Sequence, residues 1–260
     1  MQEVIPGHDV LRVRADNPGP FTLSGTNTWV VGRDPAWVVD PGPALPAHVD
    51  AVLAAVAERG GAQGIVLTHD HADHVEAAGH VAAELGVPLH AARGAGDETP
   101  VTTIADGALV GPFAVVATPG HAPDHLAFLA GGVAFTGDAV LGEGSVFVWP
   151  DPGALAGYLA ALERLREMGP AVIAPGHGPV VEDPHAKLTE YLSHRRERER
   201  RLLAALESGD RSVDALLDAA WSDVPAPLRP AATVTLAAHL DKLEDEGRLP
   251  AGVARPEIPR

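Results

Sequence analysis

The chain has 260 residues, enough for one large domain or for a core domain with a small appendage. Its hydrophobic content of 46% can form a core, but aromatic residues make up only 4%, so Ala, Val and Leu must fill most of it. The net charge of −16 argues against broad electrostatic capture of nucleic acid or of an anionic membrane. Cysteine is absent, which excludes disulfides and thiolate ligands, so any metal site must consist of histidine and carboxylate groups.

The N-terminus lacks the basic and then apolar pattern of a signal peptide. No run of about 18 apolar residues predicts a membrane span. We therefore expect a cytoplasmic protein that does not engage a membrane. The sequence makes no prediction of the oligomeric state.

The first hundred residues predict several short strands and two helices. Residues 10–15 alternate apolar and polar side chains, as a half-buried strand does. A turn cluster at 17–20 follows, and then two strands at 26–31 and 36–40 that form a plausible hairpin. The next predicted elements are a helix at 46–59, a strand at 64–67, a helix at 75–85, a strand at 88–91 and a glycine-rich loop at 93–97.

The following segment continues the mixture of strands and helices. Three strands are predicted at 114–117, 126–129 and 132–135, then a helix at 152–168 and a strand at 171–174. Runs of strands with helices between and after them indicate a layered α/β architecture. No Gly-x-Gly-x-x-Gly turn occurs, so a doubly wound nucleotide-binding fold is the weaker alternative.

The character of the sequence changes at about Asp183, where a helical appendage begins. Ser212 is the predicted N-cap of its second helix, Pro225 and Pro227 form a connector, and the tail from Pro250 onward is expected to be loose. The predicted helices span 185–206, 213–221 and 228–247. We therefore predict two domains, residues 1–182 and residues 183–260.

The first helix of the appendage carries five arginines between positions 195 and 201. They could form a track for phosphate groups. Alternatively, they could lie on a solvated helix face with Glu197 and Glu199 as partners one turn away. The net charge of −16 favours the second interpretation.

A cluster of metal-binding residue types lies between the strand at 64–67 and the helix at 75–85. It has the pattern His69-x-His71-x-Asp73-His74. A strand-to-helix turn can direct these side chains at one ion, and three imidazoles with a carboxylate suit zinc. An accidental histidine-rich loop is the simpler alternative.

Three further polar residues, His121, Asp138 and His177, each follow a glycine at the end of an apolar strand. Glycine allows the tight turns that such positions need. A single histidine after Pro-Gly would be ordinary loop chemistry. Three such turns in a chain with the clustered motif predict that all of these residues share one metal centre.

The order of these motifs resembles the metallo-β-lactamase-fold superfamily, and the resemblance runs from about Thr26 to Pro179. It implies a four-layer αββα sandwich with the metals at one edge of two sheets. It also implies ligand roles: one metal on His69, His71 and His121, a second on Asp73, His74 and His177, Asp138 bridging both, and Asp40 supporting the ligand loop.

The implied cofactors are two divalent ions, with zinc expected and iron or manganese as alternatives. Two ions about 3.5–4 Å apart can lower the pKa of a shared water and polarise a carbonyl or phosphoryl oxygen. The resulting hydroxide would attack an ester, thioester or phosphodiester of a small molecule. Asp73 is the predicted catalytic residue, since it can orient the nucleophile or take its proton.

Further motifs are similar to the lactamase-beta-two-like branch, whose C-terminal piece is a winged-helix-like domain. They include Gly25–Thr28, residues 118–125, 137–142 and 175–179, and parts of the appendage. Because the animal member of the branch cleaves single-stranded RNA, an endoribonuclease is the first alternative function. A nucleic-acid-binding or regulatory protein with a structural metal site is the second alternative.

Four residues near the metal motifs are candidates for the surroundings of the site. His125 and Asn27 are predicted to line a substrate pocket. Phe147 and Trp149 could form a wall of the cleft, although core packing is the more usual role of such residues.

Overall fold

The computed structural model describes residues 2–93 and 100–258, and two β-sheets pack face to face with helices on both outer sides. The predicted α/β class and the αββα layering are confirmed. Positions 94–97 of the predicted glycine-rich loop lie outside the described residues.

The first sheet has seven strands in chain order. Pairing is antiparallel from the first strand to the fourth and parallel from the fourth to the seventh. The strands are β1 (Gln2–Val4), β2 (Val10–Arg14), β3 (Asn27–Val31), β4 (Ala36–Val39), β5 (Ala62–Val66), β6 (Leu89–Ala91) and β7 (Val101–Thr103).

The second sheet has five strands in the order β12-β11-β10-β9-β8. They are β8 (Leu109–Val110), β9 (Phe113–Ala117), β10 (Leu126–Ala130), β11 (Val133–Gly137) and β12 (Val172–Pro175). β10 runs antiparallel to β9 and β11, and β12 runs parallel to β11. The carboxyl ends of β9, β11 and β12 therefore lie at the same edge of the sheet.

Three hydrophobic layers hold the sandwich together. The core between the sheets contains five aromatic residues among its aliphatic ones; they are Trp29, Trp37, Phe113, Phe128 and Phe135. The helices are α1 (Pro46–Ala57), α2 (Ala72–Val75), α3 (Ala78–Leu85), α4 (Ala154–Met168), α5 (Pro184–Glu207), α6 (Val213–Ala220) and α7 (Arg229–Asp245). Helices α1 and α3 cover the first sheet, while α4 and the first half of α5 cover the second.

The largest differences from the sequence-based elements concern short segments. β1, β7 and β8 were not predicted, because two or three residues are too few to establish a period of two. The helix predicted at 75–85 begins earlier, at Ala72, and is interrupted between Val75 and Ala78.

The appendage has a core of its own, formed by the second half of α5 with α6 and α7. α5 is 24 residues long and therefore belongs to two cores, because Leu188 and Leu192 pack on the sandwich while Leu202 and Leu206 pack on α6 and α7. The prediction of a loose tail is wrong for its described part. Ala254 N–H donates to the Arg211 carbonyl at 2.8 Å, and Val253 packs against the appendage core.

None of the helices in the described ranges combines the length and the apolar character needed to cross a bilayer.

His239 in α7 is a buried histidine that we expect to make stability depend on pH. Its ring is 0% exposed and packs against Trp221, and neither ring nitrogen has a hydrogen-bond partner among the described residues. Burial is the main cause that lowers its pKa well below 6.5. The nearby Arg195, Lys242, His194 and Arg198 act in the same direction.

In the unfolded chain this imidazole takes up a proton as the pH falls through 6.5, whereas in the folded protein it stays neutral. Its contribution to the free energy of unfolding is complete above that pH. Between pH 6.5 and pH 5 it declines by about 1.5 kcal/mol. Urea unfolding of the wild type and of His239→Leu across this range isolates the effect, because other titrating groups cancel in the difference. Identical pH slopes for the two proteins would contradict the assignment.

Candidate metal centre

The seven predicted ligands meet at one edge of the sandwich. The loop after β5 carries His69, His71, Asp73 and His74, and the loops after β9, β11 and β12 carry His121, Asp138 and His177. They form two groups, and within each group one potential ligand atom of every residue lies within 4.8 Å of the others. The first group is His69, His71, His121 and Asp138, and the second is Asp73, His74 and His177.

In the first group, the ring nitrogens point at a common centre. His121 Nε2 lies 3.0 Å from His71 Nδ1 and 3.5 Å from Asp138 Oδ2. The centroid of the His69 ring is 4.5 Å from that of His71. His69 Nε2 is buried and has no hydrogen-bond partner in the described part of the chain.

In the second group, His74 Nε2 lies 3.3 Å from His177 Nε2. Asp73 Oδ2 is 3.5 Å from the former nitrogen and 3.3 Å from the latter. Asp138 adjoins this group as well, since its Oδ1 is 3.5 Å from His74 Nε2 and its Oδ2 is 3.3 Å from His177 Nε2. The Asp138 carboxylate thus contacts histidines of both groups.

These distances fit a metal shell. Bonds of 2.0–2.1 Å to a tetrahedral ion separate neighbouring ligand atoms by about 3.3 Å, and the contacts within the cluster fall between 3.0 and 3.5 Å. Asp138 Oδ1 and His69 Nε2 are buried and have no hydrogen-bond partner within residues 2–93 and 100–258, and a polar atom in this state needs a partner. The residues present therefore suit bound cations.

Asp40, predicted from the resemblance to support the ligand loop, accepts hydrogen bonds from two residues of that loop, Thr68 and His74. It follows β4, is 1% exposed and adopts a φ of 50°, a left-handed conformation that few non-glycine residues take. Its Oδ1 accepts the Thr68 N–H at 2.8 Å, and its Oδ2 accepts the Thr68 hydroxyl at 2.7 Å and His74 Nδ1–H at 2.9 Å. The carboxylate thereby fixes the tautomer of His74 and leaves Nε2 free for a metal.

Thr68 extends this support to the first group. Because its hydroxyl donates to Asp40, its contact of 3.0 Å with His69 Nδ1 must be a bond donated by the imidazole. His69 Nε2 is then the atom with a free lone pair. The motif does not reveal this role of Thr68, because a threonine at the end of an apolar strand is common.

The electrostatic state of the histidines differs between the groups. Burial lowers the pKa of His121 to about 4 and places that of His69 well below its usual value, so both rings are neutral and can act as ligands. Burial opposes the charged form of His177 too. The carboxylates of Asp138 and Asp73 outweigh it and raise that pKa to about 9. Without a metal, protonated His177 is therefore the positive partner of the carboxylates. A metal ion in the second group would displace that proton and take its place beside them.

Asp73 is the more accessible of the two carboxylates in the cluster, with 28% of its side chain exposed against 11% for Asp138. Burial would raise its pKa, but the hydrogen bond from His177 and the neighbouring His74 outweigh burial and hold the pKa at about 2. The Thr26 hydroxyl donates to Asp73 Oδ2 at 3.0 Å and fixes one of its oxygens.

Asn27 and His125 occupy different places from those predicted. Asn27 is 0% exposed, and its amide donates to the Pro175 and Gly178 carbonyls at 3.0 Å each, which holds the turn that carries His177. His125 is 1% exposed, stacks on His69 and accepts the backbone N–H of Asp138 at 3.0 Å. Neither residue lines the cleft, because both side chains are directed into the support of the metal centre.

Two glycines allow the loops to approach this closely. A Cβ at Gly176 would lie 2.5 Å from Asp138 Oδ1 and 2.7 Å from His74 Cε1. Gly137 has a φ of 45°, and a Cβ there would lie 2.5 Å from Thr68 Oγ1. Glycine is therefore needed before Asp138 and His177 because a larger side chain would clash there, in addition to the conformational freedom inferred from the sequence.

A cleft of about 560 Å³ leads from the metal centre to the appendage. His121 and Asp138 lie at its inner end, and Phe147, whose ring is 5.2 Å from that of His121, forms part of the wall. Trp149 borders a separate cavity near the C-terminal tail. The appendage contributes the opposite wall of the cleft through residues of α5, of α7 and of the connector between α6 and α7.

The five arginines of α5 do not form an open track. Arg195 is 2% exposed and donates to the Val146 carbonyl, and Arg198 is 4% exposed and pairs with Asp223. The three others form ion pairs at the surface, Arg196 with Glu163 and both Arg200 and Arg201 with Glu197. The predicted pairing with Glu197 is confirmed.

Glu199 differs from the prediction, because it pairs with Lys242 of α7 and with Arg248. Glu199 therefore links α5 to α7 by ion pairs, and among the described residues it forms none with an arginine of α5. The arginine and glutamate side chains thus stabilise the appendage and its junction with the sandwich.

Comparison with known proteins adds family information to this geometry. Residues 92–177 match the model of the metallo-beta-lactamase superfamily, and residues 212–250 match that of the beta-lactamase associated winged helix domain. The beta-lactamase-like protein 2 homolog of Drosophila melanogaster is 33% identical, over 92% of this chain and 89% of its own length.

Two further similarities bear on activity and fold. The atrochrysone carboxyl ACP thioesterase of Aspergillus chevalieri is 34% identical, over 76% of this chain and 65% of its own length. The crystal structure of a metallo-beta-lactamase family protein from Thermus thermophilus superposes with a TM-score of 0.72 and 26% identity, covering 92% of this chain and 94% of the other. The similarity to the Drosophila and Thermus proteins includes most of the appendage.

Proposed function

Since this chain belongs to the metallo-beta-lactamase superfamily of hydrolases, we propose that it uses a binuclear metal centre to hydrolyse a small-molecule ester or thioester. The observation that carries the proposal is the position of Asp138, whose carboxylate contacts histidines of both groups. A carboxylate so placed can bridge two divalent ions. Zinc is the expected metal because it takes nitrogen and oxygen ligands in a tight shell, with iron and manganese as alternatives.

In this proposal each group of residues holds one ion. His69, His71 and His121 would hold the first, Asp73, His74 and His177 the second, and Asp138 would contribute to both. When bound, the two ions supply an activated water and a Lewis acid for the carbonyl oxygen of the substrate.

The protein contributes orientation and a proton acceptor. Thr26 fixes one oxygen of Asp73, and the other oxygen has no hydrogen bond among the described residues. Asp73 can therefore hold the attacking water by that oxygen and accept its proton, as a general base does. With this arrangement the reaction needs no covalent nucleophile on the protein.

An ester or thioester is favoured over a nucleic acid for two reasons. A thioesterase is among the relatives. The proposed metal centre of this chain could perform the same class of reaction. The paired arginines of α5 leave no row of free cations along that helix for a phosphate backbone, and such cations provide most of the affinity of nucleic-acid-binding proteins.

Metal content is the first test. We expect about two metal ions per chain after purification in zinc-supplemented medium, measured by elemental analysis. Removing them with a chelator should lower the melting temperature, because the buried imidazoles and carboxylates then lack their partner. Re-addition of zinc should restore it. Protein that contains no metal and does not respond to zinc in a thermal melt would contradict the proposal.

The substrate class is tested with a panel of neutral thioesters, aryl esters, a phosphodiester and single-stranded RNA. Turnover of thioesters or esters that is lost in Asp73→Ala supports the proposal. RNA cleavage that depends on the same residue, without ester turnover, would replace it by the endoribonuclease alternative. RNA binding without any turnover would favour the binding or regulatory alternative.

A further inference from the structure

We infer that the cleft beside the metal centre binds the acyl part of the substrate, that this acyl group is uncharged and apolar, and that the appendage supplies one wall of the acyl site. The inference rests on the proposed hydrolase function and goes beyond it by naming the substrate class. It also gives the appendage a role in the chemistry of the neighbouring domain.

The cleft is continuous with the metal centre. His121 and Asp138 form its inner end, so a carbonyl carbon at the metals would direct its substituent into the cleft. Most of the lining is apolar and comes from two parts of the chain that are far apart in sequence. From the sandwich come Pro20, Phe21, Leu23, Leu141, Val146 and Phe147, and from the appendage come Trp221, Val224, Pro225, Leu228 and Ala232.

Two of these side chains are large, apolar and exposed to solvent. Phe21 is 60% exposed, although its ring contacts that of Phe147 at 5.7 Å, and Leu228 is 38% exposed. Exposed apolar side chains that border a concave surface mark binding sites, because a ligand removes them from water. Their position on opposite walls fits an apolar group that lies between them.

The charges in the cleft argue against an anionic acyl group. Glu143 lines the cleft without an ion-pair partner among the described residues, and Glu190 and Asp223 lie on its appendage side. Of the two arginines that line it, Arg198 pairs with Asp223, and Arg195 donates to the Val146 carbonyl and is 2% exposed. An acidic substituent would therefore meet carboxylates, and the described lining offers it no exposed cation that lacks a carboxylate partner. The volume of about 560 Å³ suits a small molecule.

The test uses neutral N-acetylcysteamine thioesters with acetyl, butanoyl, hexanoyl and octanoyl groups on the metal-loaded full-length protein. We expect kcat/KM to rise about fourfold for each methylene that becomes buried. An eight-carbon acyl group that ends in a carboxylate should be turned over at least about tenfold more slowly than octanoyl. Equal kcat/KM values along the series, or faster turnover of the carboxylate-ended substrate, would overturn the inference.

A pair of leucine variants assigns the effect to the cleft. Leu228→Asp places a charge on the appendage wall and should reduce the ratio of octanoyl to acetyl kcat/KM at least about tenfold. Leu109→Asp is the matched control, because Leu109 is 81% exposed on β8 and does not line the cleft. It should leave the ratio unchanged. Equal ratios in both variants would refute the role of the appendage.

Failure of the hydrolase proposal can be separated from failure of this inference. If neither thioesters nor esters are turned over, the proposed function is wrong, and the acyl site is then tested by binding. Isothermal titration calorimetry with octanamide and acetamide then measures the acyl site directly in the zinc-loaded protein. Tighter binding of octanamide that is lost in Leu228→Asp supports the apolar site. Equal or undetectable binding of both amides refutes it.

Discussion

Asp138→Asn is expected to lower kcat/KM at least about a thousandfold while the protein stays folded. The carboxylate contacts histidines of both groups, at 3.5 Å from His121 Nε2 and 3.3 Å from His177 Nε2. An amide of the same size offers one weak oxygen ligand and an N–H₂ group that repels cations. It also removes the negative charge that offsets two divalent ions, so at least one of them should be lost.

The measurements are kcat/KM with the best thioester of the series, metal content by elemental analysis, and a thermal melt. Asp70→Asn is the matched control, since Asp70 lies between the predicted ligands His69 and His71 and its substitution removes the same charge, but it belongs to neither ligand group and pairs with Arg93. We expect it to retain two metals and activity within about fivefold. An Asp138→Asn protein that keeps both metals and more than a tenth of the activity would show that the carboxylate does not bridge.

The position of the ligands was predictable because their signal is local. Each ligand follows an apolar strand, several after a glycine, and the ends of neighbouring parallel strands meet at one edge of a sheet. The spacing within 69–74 and the order of His121, Asp138 and His177 then identify a family in which these loops converge. The role of Asp40 was predicted from the family resemblance alone; in the structure it follows β4, which pairs with β5.

Of the residues that line the cleft, the sequence suggests Phe147 but not the opposite wall, because the two walls are brought together only in the folded chain. Phe21 and Leu228 lie more than two hundred positions apart, in segments rich in proline that carry no periodic pattern. For Asn27 and His125 the sequence predicts the location but not the direction of the side chain. Both residues lie near the predicted ligands, but tertiary packing turns their side chains toward the backbone of the ligand loops and not toward the cleft.

The arginines of α5 illustrate a third limit. Helical periodicity predicts α5, and charge patterning predicts the contact of Glu197 with Arg201. Neither reveals that Arg195 and Arg198 face inward, because the helix crosses from the core of the sandwich to that of the appendage and is covered on more than one side.

Asp40→Ala is expected to weaken metal binding about 10- to 100-fold and to destabilise the metal-free protein by about 3–5 kcal/mol. The substitution leaves the Thr68 N–H, the Thr68 hydroxyl and His74 Nδ1–H without an acceptor in a site that is almost fully buried. Each such donor costs about 1–3 kcal/mol, partly relieved by entry of water. The unfolding free energy of the chelated protein and a chelator competition for zinc measure the two effects separately.

Two milder variants separate support of the fold from orientation of the ligands. Asp40→Asn keeps an oxygen for the Thr68 N–H but turns an N–H₂ group toward His74, so stability should largely return while zinc is still lost from the second group. Thr68→Val preserves shape and removes the hydroxyl that orients His69, so the first group should weaken instead. If both variants bind two zinc ions as tightly as the wild type, Asp40 stabilises the fold but does not orient the metal ligands. If each weakens its own group, one buried carboxylate sets the tautomers of ligands in both groups, and the centre is positioned as a single unit.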